Sequence, residues 1–244
     1  MKEWLRWTLR RQGWDLHRFL PTLSPDAQLQ ALLQRLHIET VLDVGANTGQ
    51  YGHLLRQLGY KGHILSFEPQ AAAHAALAAA AAPDPRWHVA PRTALGDAPG
   101  TATLNLAGNS ASSSLLPMLD RHRAAAPGSG YIGTEQVPVV RLDDALASQP
   151  AKGLPATGPL HLKIDTQGFE RQVMAGAPQV LARAASVQLE VSLVPLYEGA
   201  VPAHQLLADM AARDYTPAAL WPGFADAAGQ VLQMEVIFTR NKNP

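Results

Sequence analysis

Four times along this chain a short apolar run halts at a glycine or a carboxylate, with helix-favouring sequence between the runs. The runs are Thr40-Val41-Leu42-Asp43-Val44-Gly45, His63 to Phe67 before Glu68-Pro69, Leu160 to Ile164 before Asp165, and Val187-Gln188-Leu189 before Glu190. Strands alternating with helices build βαβ units and therefore a parallel sheet. In an open sheet of this kind ligands bind outside the carboxyl ends of the strands. One acid at a strand end often does no more than cap the next helix. Four of them, Asp43, Glu68, Asp165 and Glu190, predict a shared crevice.

The other patterns complete an α/β domain. Ser24-Pro25-Asp26 predicts a helix to about His37, with Ser24 as N-cap and Pro25 at the first helical position. Residues 70–82 are almost all Ala, the best intrinsic helix former, and predict another. Residues 101–107 alternate as a strand does, 231–239 form a strand apolar on both faces, and 214–221 supply its partner. Residues 108–131, rich in Ser, Gly and Pro, read as one long loop, which in a compact domain is usually functional or disordered. The 244 residues divide into an N-terminal helical extension, 1–38, and one α/β domain, 39–244.

Composition narrows the chemistry. The absence of Cys excludes thiol nucleophiles, disulfides, zinc-thiolate centres and iron–sulfur clusters. Basic and acidic residues balance at 20 each, so no nucleic-acid partner is expected. No apolar run reaches the length of about 18 residues that suggests a membrane span, and Arg6, Arg10 and Arg11 interrupt any signal-like segment, so a cytoplasmic protein is expected. The first twenty residues break the balance. Lys2, Arg6, Arg10, Arg11 and Arg18 stand against Glu3 and Asp15, and Trp4, Trp7 and Trp14 lie among them. Two readings are open: a helix in peripheral contact with the inner membrane surface, or a helix docked by its Trp side onto the domain or a second subunit.

Asp43-Val44-Gly45-Ala46-Asn47-Thr48-Gly49 joins a strand to a helix. Gly45 permits a sharp turn, Gly49 lets the helix start pack closely, and the free N–H groups there favour an anion. Asn47 and Gln50 stand where a dinucleotide fingerprint needs its second and third Gly, and no Lys-Ser/Thr pair follows as in a P-loop. Glu68, 19 residues past Gly49, is placed to accept both ribose hydroxyls of an adenosine. Asp43 is suited to an ammonium and would repel a pyrophosphate. An adenosine with a charged amino-acid tail satisfies both acids, and S-adenosylmethionine is such a ligand.

These blocks are familiar in their order. Asp43 to Tyr51, Ser66-Phe67-Glu68-Pro69, Ala94-Leu95-Gly96-Asp97, Arg141-Leu142-Asp143-Asp144, Leu162 to Glu170 and Ala175-Gly176-Ala177 together resemble the FkbM-type methyltransferases, over about residues 40–239. The resemblance implies a Rossmann-like class I methyltransferase fold: a seven-stranded sheet, mostly parallel, with an antiparallel last strand and helices on both faces. It also implies S-adenosylmethionine as cofactor and O-methylation of sugars, glycan chains or polyketide-like products. Carried over by motif, Asp43, Gly45, Asn47, Gly49 and Tyr51 line the methionine side, Glu68 with Pro69 beside it holds the ribose, and Ala94 and Leu95 lie near the adenine. Glu235 in the last strand departs from the Asp more often found there.

A sugar hydroxyl is a weak nucleophile, so a general base or a metal is expected to help it. Asp165 is the first candidate, with Lys163 two residues earlier on the same strand face. Glu190 is placed to share a cation such as Mg²⁺ with Asp165. The competing reading leaves both acids orienting cofactor or capping helices, with Lys163–Asp165 as an ion pair. His122, in the long loop, is a second candidate base. Asn109, Ser112 and Ser113 offer hydrogen bonds to a sugar, or form ordinary turns. Tyr197 and Trp221 offer apolar faces to a pyranose, or pack the core. The expected protein is an S-adenosylmethionine-dependent O-methyltransferase of a sugar or glycan hydroxyl. The alternative is a catalytically silent subunit that binds a partner through residues 1–20.

Overall fold

The computed structural model describes residues 3–148 and 157–241; Lys2, counted among the basic residues above, lies outside them. The chain begins with α1 (Glu3–Arg11) and α2 (Pro25–Arg35), then β1 (Thr40–Val44), α3 (Gln50–Gln57), β2 (His63–Phe67), α4 (Ala71–Ala81), β3 (Trp87–Val89) and β4 (Ala94–Leu95). A middle section follows: β5 (Gly100–Ala107), α5 (Asp120–Ala125), β6 (Tyr131–Val140) and α6 (Leu142–Ser148). The last part holds β7 (Leu160–Ile164), α7 (Glu170–Ala175), α8 (Pro178–Arg183), β8 (Ser186–Ser192), α9 (Ala203–Ala211), β9 (Tyr215–Ala225) and β10 (Val231–Arg240).

Local chemistry accounts for several of these boundaries. Ser24 Oγ accepts the Ala27 N–H at 3.4 Å and starts α2. The helix stops two residues short of the sequence expectation because His37 enters the left-handed region at φ +51°. In α4 the buried residues are Ala73, Leu77 and Ala81, spaced one turn apart on a single face.

Seven strands form the main sheet in the order β3-β2-β1-β7-β8-β10-β9. The pairs β2–β3, β1–β2, β1–β7 and β7–β8 are parallel, while β10 runs antiparallel to both β8 and β9. This is the mostly parallel, Rossmann-like sheet that the resemblance implies, with its last strand reversed. Every residue of β1 and β7 is buried, as expected for central strands covered on both faces. Residues 1–38 contain two helices of unlike packing. Helix α2 sets Leu29, Leu32 and Leu33 into a core shared with Val41, Leu55 and Ile237, whereas α1 has no buried residue. Among the described residues no helix is long and apolar enough to cross a membrane.

Three features differ from the sequence expectation. Residues 108–131 are not one long loop, because α5 lies within them and Ser114 bridges back to Asn105. Strands β4, β6 and β5 form a second, three-stranded sheet. Glu190 does not end its strand. Strand β8 runs on to Ser192, because β10 pairs with it from Ser186 to Ser192.

Gly45 and Gly59 both sit near φ +80°, but a Cβ on Gly45 would run into the Asp165 carbonyl, while at Gly59 the space is open. Gly59→Ala should cost about 1 kcal/mol for the left-handed backbone alone. Gly45→Ala should cost about 3 kcal/mol or more, since two strands must also part. Urea unfolding of the two variants measures the difference, and equal losses would refute the close-approach argument.

Candidate active site

Strands β1 and β7 lie side by side, and the chain leaves them towards opposite flanks, to β2 and to β8. A crevice opens at such a switch point. Gly45 and Ala46 both donate to the Phe67 carbonyl at 3.0 Å and tie the end of β1 to that of β2. The Asn47 N–H donates to Glu68 Oε2 and the Gln70 N–H to Glu68 Oε1, each at 2.8 Å. Thr48 N–H reaches Gln50 Oε1 at 3.1 Å, and Gly49 N–H the Ala46 carbonyl at 2.9 Å. Every N–H from Gly45 to Gly49 is thus used within the protein. This corrects the expectation that the turn offers them to a bound anion: the anion beside the turn is Glu68. Burial pushes the Glu68 carboxyl up to about 7, against the pull of its two backbone donors. Gly49 backs onto the Trp87 ring and Leu77.

A buried polar band runs beneath the turn. Lys163 Nζ lies 3.1 Å from Asp165 Oδ2, 3.9 Å from Asp43 Oδ1 and 5.1 Å from the centre of the Tyr51 ring. Burial alone would pull this ammonium's pKa down, but Asp165, Asp43 and Glu235 outweigh it and hold it above its ordinary value. Burial raises the carboxyl of Asp43, which is fully inside and also accepts from Ser66 Oγ at 3.3 Å. The Tyr51 hydroxyl donates to Gln188 Oε1 at 2.9 Å and lies 3.0 Å from His161 Nε2, whose Nδ1 is 2.7 Å from Ser186 Oγ. Burial takes His161 down to about 3, so the ring is neutral. With Tyr51 donating to Gln188, Nε2 carries the ring proton.

Asp165 also belongs to a group of three carboxylates that converge beside Lys163. Glu190 and Glu235 are register partners across β8 and β10, and one oxygen from each, with one from Asp165, lie within 4.8 Å of one another. Amide groups hold them. Gln167 Nε2 bridges Asp165 Oδ1 at 2.9 Å and Glu190 Oε2 at 2.7 Å, Gln233 Nε2 reaches Glu190 Oε2 at 2.7 Å, and Gln188 Nε2 reaches Glu235 Oε2 at 2.8 Å. Burial, then the charges of Asp165 and Glu235, raise Glu190 well above the usual carboxylate range. Glu190 therefore keeps its proton where an ordinary carboxyl has lost it.

Above this floor lies a cavity of about 430 Å³. Phe67, Ala94, Leu95, Leu104 and Leu115 give it apolar lining, and Asn47, Tyr51, Lys163, Asp165 and Glu190 polar lining, with Glu68 and Pro69 contributed from between β2 and α4. Gly45 and Ser113 also line it. The remaining sequence candidates do not. Asp43 lies under the floor, and Gly49 behind the turn. Asn109 folds onto Ser112, with its side chain meeting both the N–H and Oγ of that residue at 3.0 Å. His122 Nε2 is 3.0 Å from the same Ser112 Oγ, its ring packs on Tyr197 and Phe224, and burial lowers its pKa. Tyr197 is buried and donates to Gln167 Oε1 at 2.8 Å. Trp221 packs on β9 with the α2 cluster. Sequence reasoning passed over Gln167, although it lies inside the block Leu162 to Glu170, and met Glu235 only as a departure in the last strand.

The profile described as the methyltransferase FkbM domain matches residues 43–217. No curated protein matches the chain in sequence. Similar solved structures include an rRNA methylase from Streptococcus thermophilus, at 9% identity and TM-score 0.47 over 90% of this chain and 98% of that one. A protein of the NADB-Rossmann superfamily from Streptococcus agalactiae shares 10% identity, with TM-score 0.47 over 95% and 72%. The ribosomal protein L11 methylase of Lactobacillus delbrueckii subsp. bulgaricus shares 13%, with TM-score 0.43 over 89% and 79%.

A carboxyl whose pKa is raised by folding stabilises the fold fully below its unfolded pKa and loses that contribution as pH rises through the folded value. For Glu190 the loss falls above the ordinary carboxylate range. Glu190→Gln keeps an acceptor for Gln167 and Gln233 and removes the titration. Its melting temperature should exceed that of the unsubstituted chain by about 2–6 °C at pH 8.5, and the gap should close near pH 5. A gap independent of pH would show that Glu190 does not carry this strain.

Proposed function

The chain belongs to the FkbM methyltransferase family, and on that premise we propose that it is an S-adenosylmethionine-dependent O-methyltransferase acting on a hydroxyl of a sugar or glycan. The acceptor class would be a cell-surface polysaccharide or a glycosylated natural product. The observation that carries the reading is Glu68, a buried carboxylate on the cavity wall with one backbone N–H on each oxygen. A carboxylate oxygen accepts at more than one position, so both can still take a ribose hydroxyl. The same charge, with that of Asp165 on the cavity lining, suits a cationic ligand and opposes a pyrophosphate, which counts against NAD. Phe67, Ala94, Leu95 and Leu104 offer apolar walls for an adenine, and Asn47 and Tyr51 flank the methionine end. The cavity volume lies within the ~300–1,000 Å³ usual for small-molecule sites.

When bound, S-adenosylmethionine supplies a methyl group already activated on a sulfonium. The chain's own tasks are to align the acceptor hydroxyl and to take its proton. Alignment of well-held reactants is worth up to ~7–11 kcal/mol. Asp165 is the proton acceptor: it lines the cavity, Lys163 holds one of its oxygens and Gln167 the other. Glu190 keeps its proton and so sets no second full charge beside Asp165. Ser113 lines the wall with a hydroxyl that accepts from the Ala107 N–H at 3.0 Å and keeps a second acceptor position for the sugar. Asp165, Glu190 and Glu235 are the residues that would hold a hard cation such as Mg²⁺, in exchange for their contacts with Lys163, Gln167, Gln233 and Gln188.

Calorimetric titration with S-adenosylhomocysteine tests the cofactor, and NAD serves as the control. Glu68→Ala should weaken binding by at least about 100-fold, the lower end of what two hydrogen bonds to a charged group are worth. Affinity should rise from pH 6 to 8 as Glu68, held at about 7 by burial, loses its proton; Glu68→Gln should remove that dependence. Asp165→Asn should lower turnover by about 10²–10⁴ while leaving affinity for S-adenosylhomocysteine, which lacks the sulfonium charge, within a few-fold. No heat with S-adenosylhomocysteine would overturn the reading in favour of a catalytically silent subunit.

A further inference from the structure

Eleven large apolar side chains are exposed among the described residues, and eight of them lie between Trp4 and Leu23. They are Trp4, Leu5, Trp7, Trp14, Leu16, Phe19, Leu20 and Leu23, with Trp4, Trp7 and Trp14 each more than 60% exposed. A folded surface normally scatters such residues singly. Here one stretch of chain carries most of them, and no residue of α1 within it is buried, Arg6 and Leu9 alone being half-buried.

The stretch is ordered by its own contacts. Thr8 Oγ1 donates to the Trp4 carbonyl at 2.9 Å, and Arg11 lies over the Trp7 ring at 4.8 Å. Beyond the helix, Gly13 at φ +83° turns the chain so that the Trp14 N–H returns to the Leu9 carbonyl at 2.9 Å, and Asp15 pairs with Arg10 at 3.0 Å. At 100° per residue, Trp4, Leu5, Thr8 and Leu9 share one side of α1 and Arg6, Arg10 and Trp7 the other, with Arg11 at the border between Trp4 and Trp7. Residues 1–20 carry five basic and two acidic side chains, while the rest of the chain is net negative.

We propose that residues 3–23 form a docking surface for an anionic lipid bilayer, with Trp and Leu side chains at the level of the head groups and the Arg side chains on lipid phosphates. Trp and Arg alternating on a short amphipathic helix match a membrane interface, where Trp favours the polar–apolar boundary and basic groups meet a negative surface potential. The inference is independent of the reaction proposed above. It concerns only where the protein works.

The full chain should float with vesicles of phosphatidylglycerol and phosphatidylcholine, at least about tenfold more tightly than with phosphatidylcholine alone, and added salt should weaken binding. Its Trp emission should shift to the blue on those vesicles. A Trp4→Ala, Trp7→Ala, Trp14→Ala variant should lose binding, as should an Arg6→Glu, Arg10→Glu, Arg11→Glu variant. Both should melt within about 2 °C of the parent, since no residue of α1 is buried. Equal binding to both vesicle types, or none to either, would overturn the proposal. So would a dimer in sedimentation that the Trp variant disperses while vesicle binding is absent, which would make a second copy the occupant.

Discussion

A cation buried in the middle of a parallel sheet has to be matched by charge, and Lys163 is the one buried Lys or Arg among the described residues. Asp43 meets it from β1 and Asp165 from the end of its own strand, and Glu235 adds to the field that keeps it charged. Losing a partner would leave an uncompensated charge in a medium where that costs several kcal/mol. Sheet register and cavity floor are therefore coupled. Asp43 pairs with Lys163 only because β1 and β7 lie in the register observed, and a slip of one residue would turn these groups to the opposite face.

The rest of the site is arranged around that ion pair. Gln167 holds Asp165 and Glu190 together through one amide nitrogen, and its own oxygen is held by Tyr197. Its φ of +54° is uncommon for a residue with a side chain, and the bonds at both ends of the amide account for its persistence. Glu170, pushed up to about 7 by burial, accepts from Thr166 and Gly168 and sets the turn that carries Gln167. The segment that sequence alone renders as a Ser-rich loop becomes a strap over the cavity. Ser110 donates to Asn47 at 3.3 Å, and Ser114 to the Gln167 carbonyl at 2.7 Å.

Much of this was legible in the residues because the signals are local. Apolar runs bounded by glycines and acids locate β1, β2 and β7, the Ser24 cap locates α2, and the strand-to-helix turn with an acid at the next strand end locates Glu68. The ordered blocks carried the family, which the matched profile over residues 43–217 bears out. Where the reading fell short, the missing information was pairing. Glu190 was expected at a strand end, but β10 extends β8 beyond it. His122 was expected in an open loop, but Tyr197 and Phe224 enclose its ring.

The amino-acid sequence by itself determined the alternation of strands and helices, the glycine turn, the acids that follow the strands, and the unbalanced charge of the first twenty residues. Each depends on neighbours a few positions apart, and caps, periodicity and composition act over that range. Only the tertiary structure decided that the N–H groups of the turn are used internally, that Glu235 joins Asp165 and Glu190, and that the Ser-rich segment closes over the cavity. Those outcomes depend on which strands lie side by side and in what register. That choice is made by burial summed over the whole sheet, and no short stretch of the chain carries it.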